Sequence, residues 1–508
     1  MVRFLKKLKY KIIYQIKRNP SQKMERGGIY VPHISKAIFL NTIFCQKLGW
    51  MQANRTEAEE VSAGDQFRIH QGLEIGEAAR KLFPEGIYIE EKNLQAAAQR
   101  TQELIRDTHT SVLFEATFLV DGYATKADIL QREGDQWKLI EVKSNTNFKE
   151  QHMYDMAYTA AVLTLCGLDI STISILLVSK DFRLGMDVSA LFIEGECTGA
   201  VVPWVGEFRE HFPEVKEILQ TPRPPSLPLS FKCKKCPMFT ECHGKDIENH
   251  IFTIPRLSEK KFTALVGKDI VRIEDIPEDF ALTKNQRKHV ECVQCGEPVI
   301  DPGLRSALDE IVWPVHYLDF ETTTTAIPLY PNLAPYCHLP IQYSIHTCPE
   351  CGKIDRHSEY LADPTCDCRR RLAERLIEDL DDEGSILVYT SFERTTIKGL
   401  IQEFPDLEGQ LQDIITRLVD LEKIVRSVNH PLFKGRTSIK VALPALVPGM
   451  SYDGLAIADG ETAMATFALM AKGVFDPAET EKKRQELLEY CTQDTLAMVW
   501  LHDTLAQL

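Results

Sequence analysis

The chain has 508 residues, enough for two or three domains that each bury a core. Its 44% hydrophobic and 26% charged content is that of a globular protein, and no apolar run approaches the roughly 20 residues of a membrane span. A net charge of −14 excludes a protein that coats nucleic acid by bulk electrostatics, but not one whose clustered carboxylates hold cations.

Residues 1–18 carry seven Lys or Arg and no acid, interleaved with Phe4, Leu5, Leu8, Ile12, Ile13 and Ile16. That pattern predicts a cationic amphipathic helix within residues 1–28, suited to phosphate or to a membrane surface, or else a solvated helix packed on its own domain. A secretory signal needs a continuous apolar stretch, which is missing, so the expected location is cytoplasmic. Most of the 14 cysteines lie in close pairs, and without a secretory signal such spacing favours metal thiolates over disulfides. Cys166, Cys197 and Cys491 stand alone in apolar or helical contexts and read as core residues.

Residues 29–248 make the first expected domain. Three successive strands are predicted between Glu115 and Ser144: FEATFLV, TKADILQRE and WKLIEVKS, with turns at Asp121-Gly122 and Gly134-Asp135. On a strand, residues i and i+2 face the same way, so Glu141 and Lys143 point together and Asp128 can join them from the neighbouring strand. Two carboxylates then hold a magnesium or manganese ion, and the Lys143 ammonium orients water or offsets developing charge. Glu115 reads either as a further ligand or as an ordinary strand residue.

This D…ExK arrangement resembles the PD-(D/E)xK nuclease core, in the RecB-type branch that includes the CRISPR-associated adaptation exonucleases. In that branch one upstream and three downstream cysteines staple the domain around a [4Fe–4S] cluster. Cys45, Cys233, Cys236 and Cys242 follow the same order, so the resemblance implies a cluster, and tetrahedral zinc is the alternative. The chain departs from the branch in one helix, QHMYDMAYTAAVL, where Thr159 stands near the position usually held by glutamine. An upstream active-site histidine also lacks a clear counterpart.

Thr221–Pro228 is proline-rich and extended, and residues 249–311 read as a connector of short helices and turns. The last domain, 312–508, opens on the strand VHYLDF and closes on a long helix from Ala478. Asp319 and Glu321 share one strand face; Tyr490 and Asp494, four apart, share one helix face. Glu393 falls after the strand in ILVYTSFERTTI. Four acids are a donor set for two divalent ions roughly 4 Å apart. The order DxE, acid after a strand, then YxxxD resembles the DnaQ-like 3′–5′ exonucleases of the tyrosine subtype, on a ribonuclease-H-like fold. There Tyr490 would orient the attacking water. Glu393 stands where Asp is usual, and Asp420 is the other candidate for that place.

Within a predicted insertion, 346–370, the spacing of Cys348, Cys351, Cys366 and Cys368 suits one structural zinc. Cys292 and Cys295 with Cys348 and Cys351 form a competing ligand set. From residue 29 to 508, leaving out the cationic N-terminal helix, the chain resembles a bacterial family in which a cysteine-rich RecB-type nuclease domain is fused to a DnaQ-like domain. Shared segments include FEATF, EVKS, IPRLS, LDFET and IKVALPAL. The expected fold class is therefore α/β: a restriction-endonuclease-like domain, a helical connector and a ribonuclease-H-like domain. The expected activity is hydrolysis of nucleic acid, single-stranded DNA first, at two centres in DNA repair or antiphage defence. The alternative keeps only the C-terminal exonuclease active, with the first domain an iron–sulfur DNA-binding module.

Overall fold

A computed structural model describes residues 33–55 and 61–508, so the cationic N-terminal helix lies outside the described residues. The architecture is mixed α/β, as expected. The chain divides into two compact units: residues 1–229 with 325–336, and residues 230–324 with 337–508. The connector and Cys233, Cys236 and Cys242 thus sort with the second unit. Among the described residues, no helix is long and apolar enough to cross a membrane.

The first unit is built on a six-stranded sheet in sequential order: β1 (Ile87–Tyr88), β2 (Val112–Val120), β3 (Tyr123–Glu133), β4 (Gln136–Lys143), β5 (Ile170–Val178) and β6 (Phe192–Glu196). Asp121 and Gly122, both at positive φ (51° and 90°), close the β2–β3 hairpin as a two-residue turn matched to strand twist. Gly134, at φ 65°, leads the two-residue turn into β4. Helix α2 (Glu150–Leu165) carries the chain from β4 to a parallel β5.

Helix α1 (Lys36–Phe44) is held by aromatic packing against α2 and the helix Thr198–Gln220, and against Tyr123 of β3. Phe39 is fully buried, with ring centroids 5.2 Å from Tyr158, 5.2 Å from Phe208 and 5.1 Å from Phe212. The Tyr158 hydroxyl donates to the Ile34 carbonyl at 2.6 Å, fixing the entry to the helix. Residues 325–336 pack here too. The Ala326 amide donates to Gln71 Oε1 at 2.6 Å, and the Tyr336 hydroxyl donates to the Ser144 carbonyl at 2.5 Å.

The second unit holds a five-stranded sheet of β8 (Val315–Thr323), β9 (Leu339–Cys348), β10 (Arg356–Leu361), β11 (Ser385–Val388) and β12 (Leu418–Asp420). Across the sheet the order is β10-β9-β8-β11-β12; β8, β11 and β12 run parallel, and β9 is antiparallel to β8. The short strands β7 (Val299–Ile300) and β13 (Val428–Asn429) pair separately. Helix α3 (Phe392–Glu403) follows β11, α4 (Ile439–Leu446) comes later, and α5 (Pro477–Gln507) closes the chain.

Helix α5 buries Leu487, Cys491, Ala497, Met498, Leu501 and Leu505 against this sheet. Polar contacts fix its height. Gln342 Nε2 donates to the Leu487 carbonyl at 2.9 Å, and the Thr495 hydroxyl lies 2.8 Å from both Ser344 Oγ and His346 Nδ1. A helix pinned both by apolar burial and by these buried hydrogen bonds cannot slide by a turn without breaking them. That pinning delivers Tyr490 and Asp494 to the strand bearing Asp319 and Glu321.

Candidate metal centres

In the second unit, ligand atoms of Asp319, Glu321 and Asp494 lie within 4.8 Å of one another. They line a cavity of about 280 Å³ together with Glu393, Tyr490, Phe392, Lys440 and Met498. Glu393 sits in the first turn of α3, where a carboxylate benefits from free backbone amides. Its Oε2 is buried with no hydrogen-bond partner, an acceptor without a donor. Asp420 is used otherwise. Its Oδ1 accepts from the Lys423 amide at 3.2 Å, capping a short helix, and its charge bears on Glu393 from the side.

Four acids are buried here and Lys440 alone among the cavity's lining side chains offsets them, which leaves the set short of positive charge. Burial, and then the charges of Asp494, Glu321 and Glu393, hold Asp319 well above the usual carboxylate range. Glu321 is pushed up to about 8 by burial and by Asp494. Burial raises Glu393 to about 7, against the lowering effect of backbone hydrogen bonds. Asp494 is raised by burial although two tyrosines donate to it: Tyr452, through a short bond to Oδ1, and Tyr490. Such a set fits a divalent cation, which would replace the missing charge. Tyr452 and Lys440 were not singled out by spacing; Lys440 appears in the sequence only near the start of an apolar segment.

In the first unit the expected residues also meet. The β2–β3 and β3–β4 registers, continued by one residue, place Glu115, Asp128 and Glu141 in one row across three strands. Glu115 leaves the ladder with φ 55°, a left-handed backbone uncommon for a non-glycine, and pairs with Lys126 at 3.7 Å. Asp128 Oδ2 accepts from the Val142 amide at 2.7 Å. Lys143 Nζ lies 2.8 Å from both Glu141 Oε1 and Asp155 Oδ2.

Lys36 from α1 reaches the same Glu141 oxygen at 3.1 Å, while Glu141 Oε2 is buried without a partner. Burial alone would raise Glu141, but Lys143 and Lys36 outweigh it and hold it at about 2. Burial and the charge of Glu141 push Asp128 up to about 7. Lys36 and Asp155 went unread in the sequence. Lys36 is 105 residues from Glu141, and Asp155 stands on a helix with no spacing that ties it to the ExK strand.

The predicted four-cysteine zinc site is not brought together. Cys348 ends β9, whereas Cys366 and Cys368 follow the far end of β10. Thr347 pairs with Arg356 and Gln342 with Leu361, so roughly 17 Å of antiparallel ladder separates the two pairs. Cys366 and Cys368 place their Sγ atoms 3.4 Å apart, and the Cys351 thiol is raised to about 11 by burial and by Asp503. The competing pair is engaged elsewhere: the buried Cys292 thiol donates to the Asn429 carbonyl at 3.1 Å, and Cys295 to the Cys292 carbonyl at 3.4 Å. Of the first predicted cluster, Cys45 belongs to the first unit and the other three to the second: Cys233 in a 3-10 turn that Cys236 ends, and Cys242 in a π-helical turn.

Residues 316–438 match a family model described as a domain of unknown function, DUF2779. The match takes in Asp319, Glu321 and Glu393 and stops short of Lys440, Tyr490 and Asp494. An uncharacterized protein of Ureaplasma parvum, UU173, is 32% identical over 73 residues. That stretch is 14% of this chain and 11% of the relative.

Proposed function

We propose that this chain is a divalent-cation-dependent nuclease with two hydrolytic centres acting on nucleic acid, single-stranded DNA first. The observation that carries the reading is the meeting of Asp319, Glu321 and Asp494 at one wall of a cavity that also holds Glu393 and Tyr490. A β10-β9-β8-β11-β12 sheet with three parallel members supports the ribonuclease-H-like, DnaQ-type resemblance. Magnesium or manganese held by Asp319, Glu321, Glu393 and Asp494 supplies Lewis-acid chemistry for phosphodiester hydrolysis. Tyr490, beside those acids, orients the attacking water, and Tyr452 and Tyr490 fix the Asp494 carboxylate.

At the first centre Asp128 and Glu141 would hold the ion through the oxygens that Lys36 and Lys143 leave free, and Lys143 would act on the water. A [4Fe–4S] cluster or zinc on Cys45, Cys233, Cys236 and Cys242, and the setting in repair or phage defence, follow from the family resemblance. One observation favours the reading with a single working centre: two lysines already neutralise Glu141. The test is cleavage of end-labelled single-stranded DNA and RNA in magnesium or manganese by wild type, Lys143→Ala, Asp319→Ala and the double variant. Loss of a distinct product ladder in each single variant supports two centres. Loss of all cleavage in Asp319→Ala alone leaves the first unit as a binding module, and unchanged cleavage in the double variant refutes the nuclease.

A further inference from the structure

Lys440 lies in the first turn of α4 and lines the same cavity as Asp319, Glu321, Glu393 and Asp494. Its ammonium lies 5.3 Å from the ring centroids of both Tyr452 and Tyr490 and donates to the Ala458 carbonyl at 2.5 Å. Two ring faces and a carbonyl hold the cation in place without neutralising it. They also keep a flexible side chain aimed at one spot, so little freedom is lost when a ligand arrives.

Charge balance then says what that ligand is. Four ionised carboxylates and two divalent cations cancel, which leaves the Lys440 charge over. A phosphodiester group carries one negative charge and non-bridging oxygens that accept from an ammonium. We propose that Lys440 is the phosphate-binding residue of this cavity, donating to a non-bridging oxygen of the nucleotide seated against the acids. The proposal rests on the nuclease reading of the same site and names a positioning residue that neither the DxE nor the YxxxD pattern contains.

The test uses the full chain with thymidine 5′-monophosphate as probe, titrated by calorimetry in manganese against Lys440→Gln and Lys440→Arg. Manganese binding without nucleotide is followed in parallel by electron paramagnetic resonance. Lys440→Gln should weaken the nucleotide about tenfold and flatten its salt dependence by about one released ion, while Lys440→Arg recovers most of the affinity. Manganese binding should be retained in both variants. Unchanged nucleotide affinity in Lys440→Gln with manganese still bound would overturn the proposal alone. Loss of manganese in Lys440→Gln would overturn it differently, making Lys440 a support for the acids. A wild type that binds no manganese would bring down the nuclease reading itself.

Discussion

Glu321→Gln should make the metal-free protein resist alkaline destabilisation better than wild type. In the folded chain Glu321 is raised from 4.5 to about 8, by burial and by the charge of Asp494. A carboxyl whose folded pKa lies above its unfolded one contributes fully below pH 4.5 and loses that contribution as pH rises through about 8. Between pH 6.5 and 8 the loss is 1.5 pH units at about 1.4 kcal/mol each, roughly 2 kcal/mol. The buried histidines cancel in the comparison. Burial holds His346 and His502 at about 4 in both proteins, so the protons that the unfolded chain takes up around pH 6.5 and below weigh on the two alike. The assay is urea unfolding after chelation, at pH 6.5 and 8. Wild type should lose roughly 2 kcal/mol more than Glu321→Gln across the window, and excess manganese should restore the loss. Equal losses in the two proteins would refute the picture of an uncompensated acid cluster.

Lys36→Met removes one of the two ammoniums on Glu141 and should tighten divalent-ion binding at the first centre, up to about tenfold, measured by calorimetry on an Asp319→Ala background. Weaker binding would mean that Lys36 shapes the centre rather than competing with the ion. Tyr336→Phe deletes the hydroxyl that donates to Ser144, next to Lys143, and should cost the first unit about 1 kcal/mol in denaturant unfolding. Cys366→Ser with Cys368→Ser should leave any metal bound at Cys348 and Cys351 in place by elemental analysis, because the ladder holds the pairs apart. Loss of that metal would restore the four-cysteine site.

The local parts of both centres were legible because strand and helix periodicity decides which neighbours face together. Glu141 with Lys143, Asp319 with Glu321, and Tyr490 with Asp494 needed only spacings of two and four. The three strands around Asp128 were legible from their turn residues, since Asp121-Gly122 and Gly134 take the positive φ that hairpins ask for. Contacts set by tertiary packing were not. Lys36 reaches Glu141 because Phe39 seats α1 against Tyr123 of β3 and Tyr158 of α2, and Tyr452 reaches Asp494 from an irregular segment with no periodicity to read. The cysteines misled for a related reason. Spacing counts residues but not direction, and the strand after Cys351 carries the chain away from Cys348 before Cys366 appears.

Divalent ions bound by the Asp319–Glu321–Asp494 cluster are what the proposed nuclease requires first, so the most direct measurement is a manganese titration of metal-free wild type and Asp319→Asn, followed by electron paramagnetic resonance. The predicted result is spin-coupled manganese in wild type, as two ions a few ångströms apart require, and its loss in Asp319→Asn together with one product ladder on single-stranded DNA. Identical binding by the two proteins would contradict the account, because the carboxylate at its centre would then hold no ion.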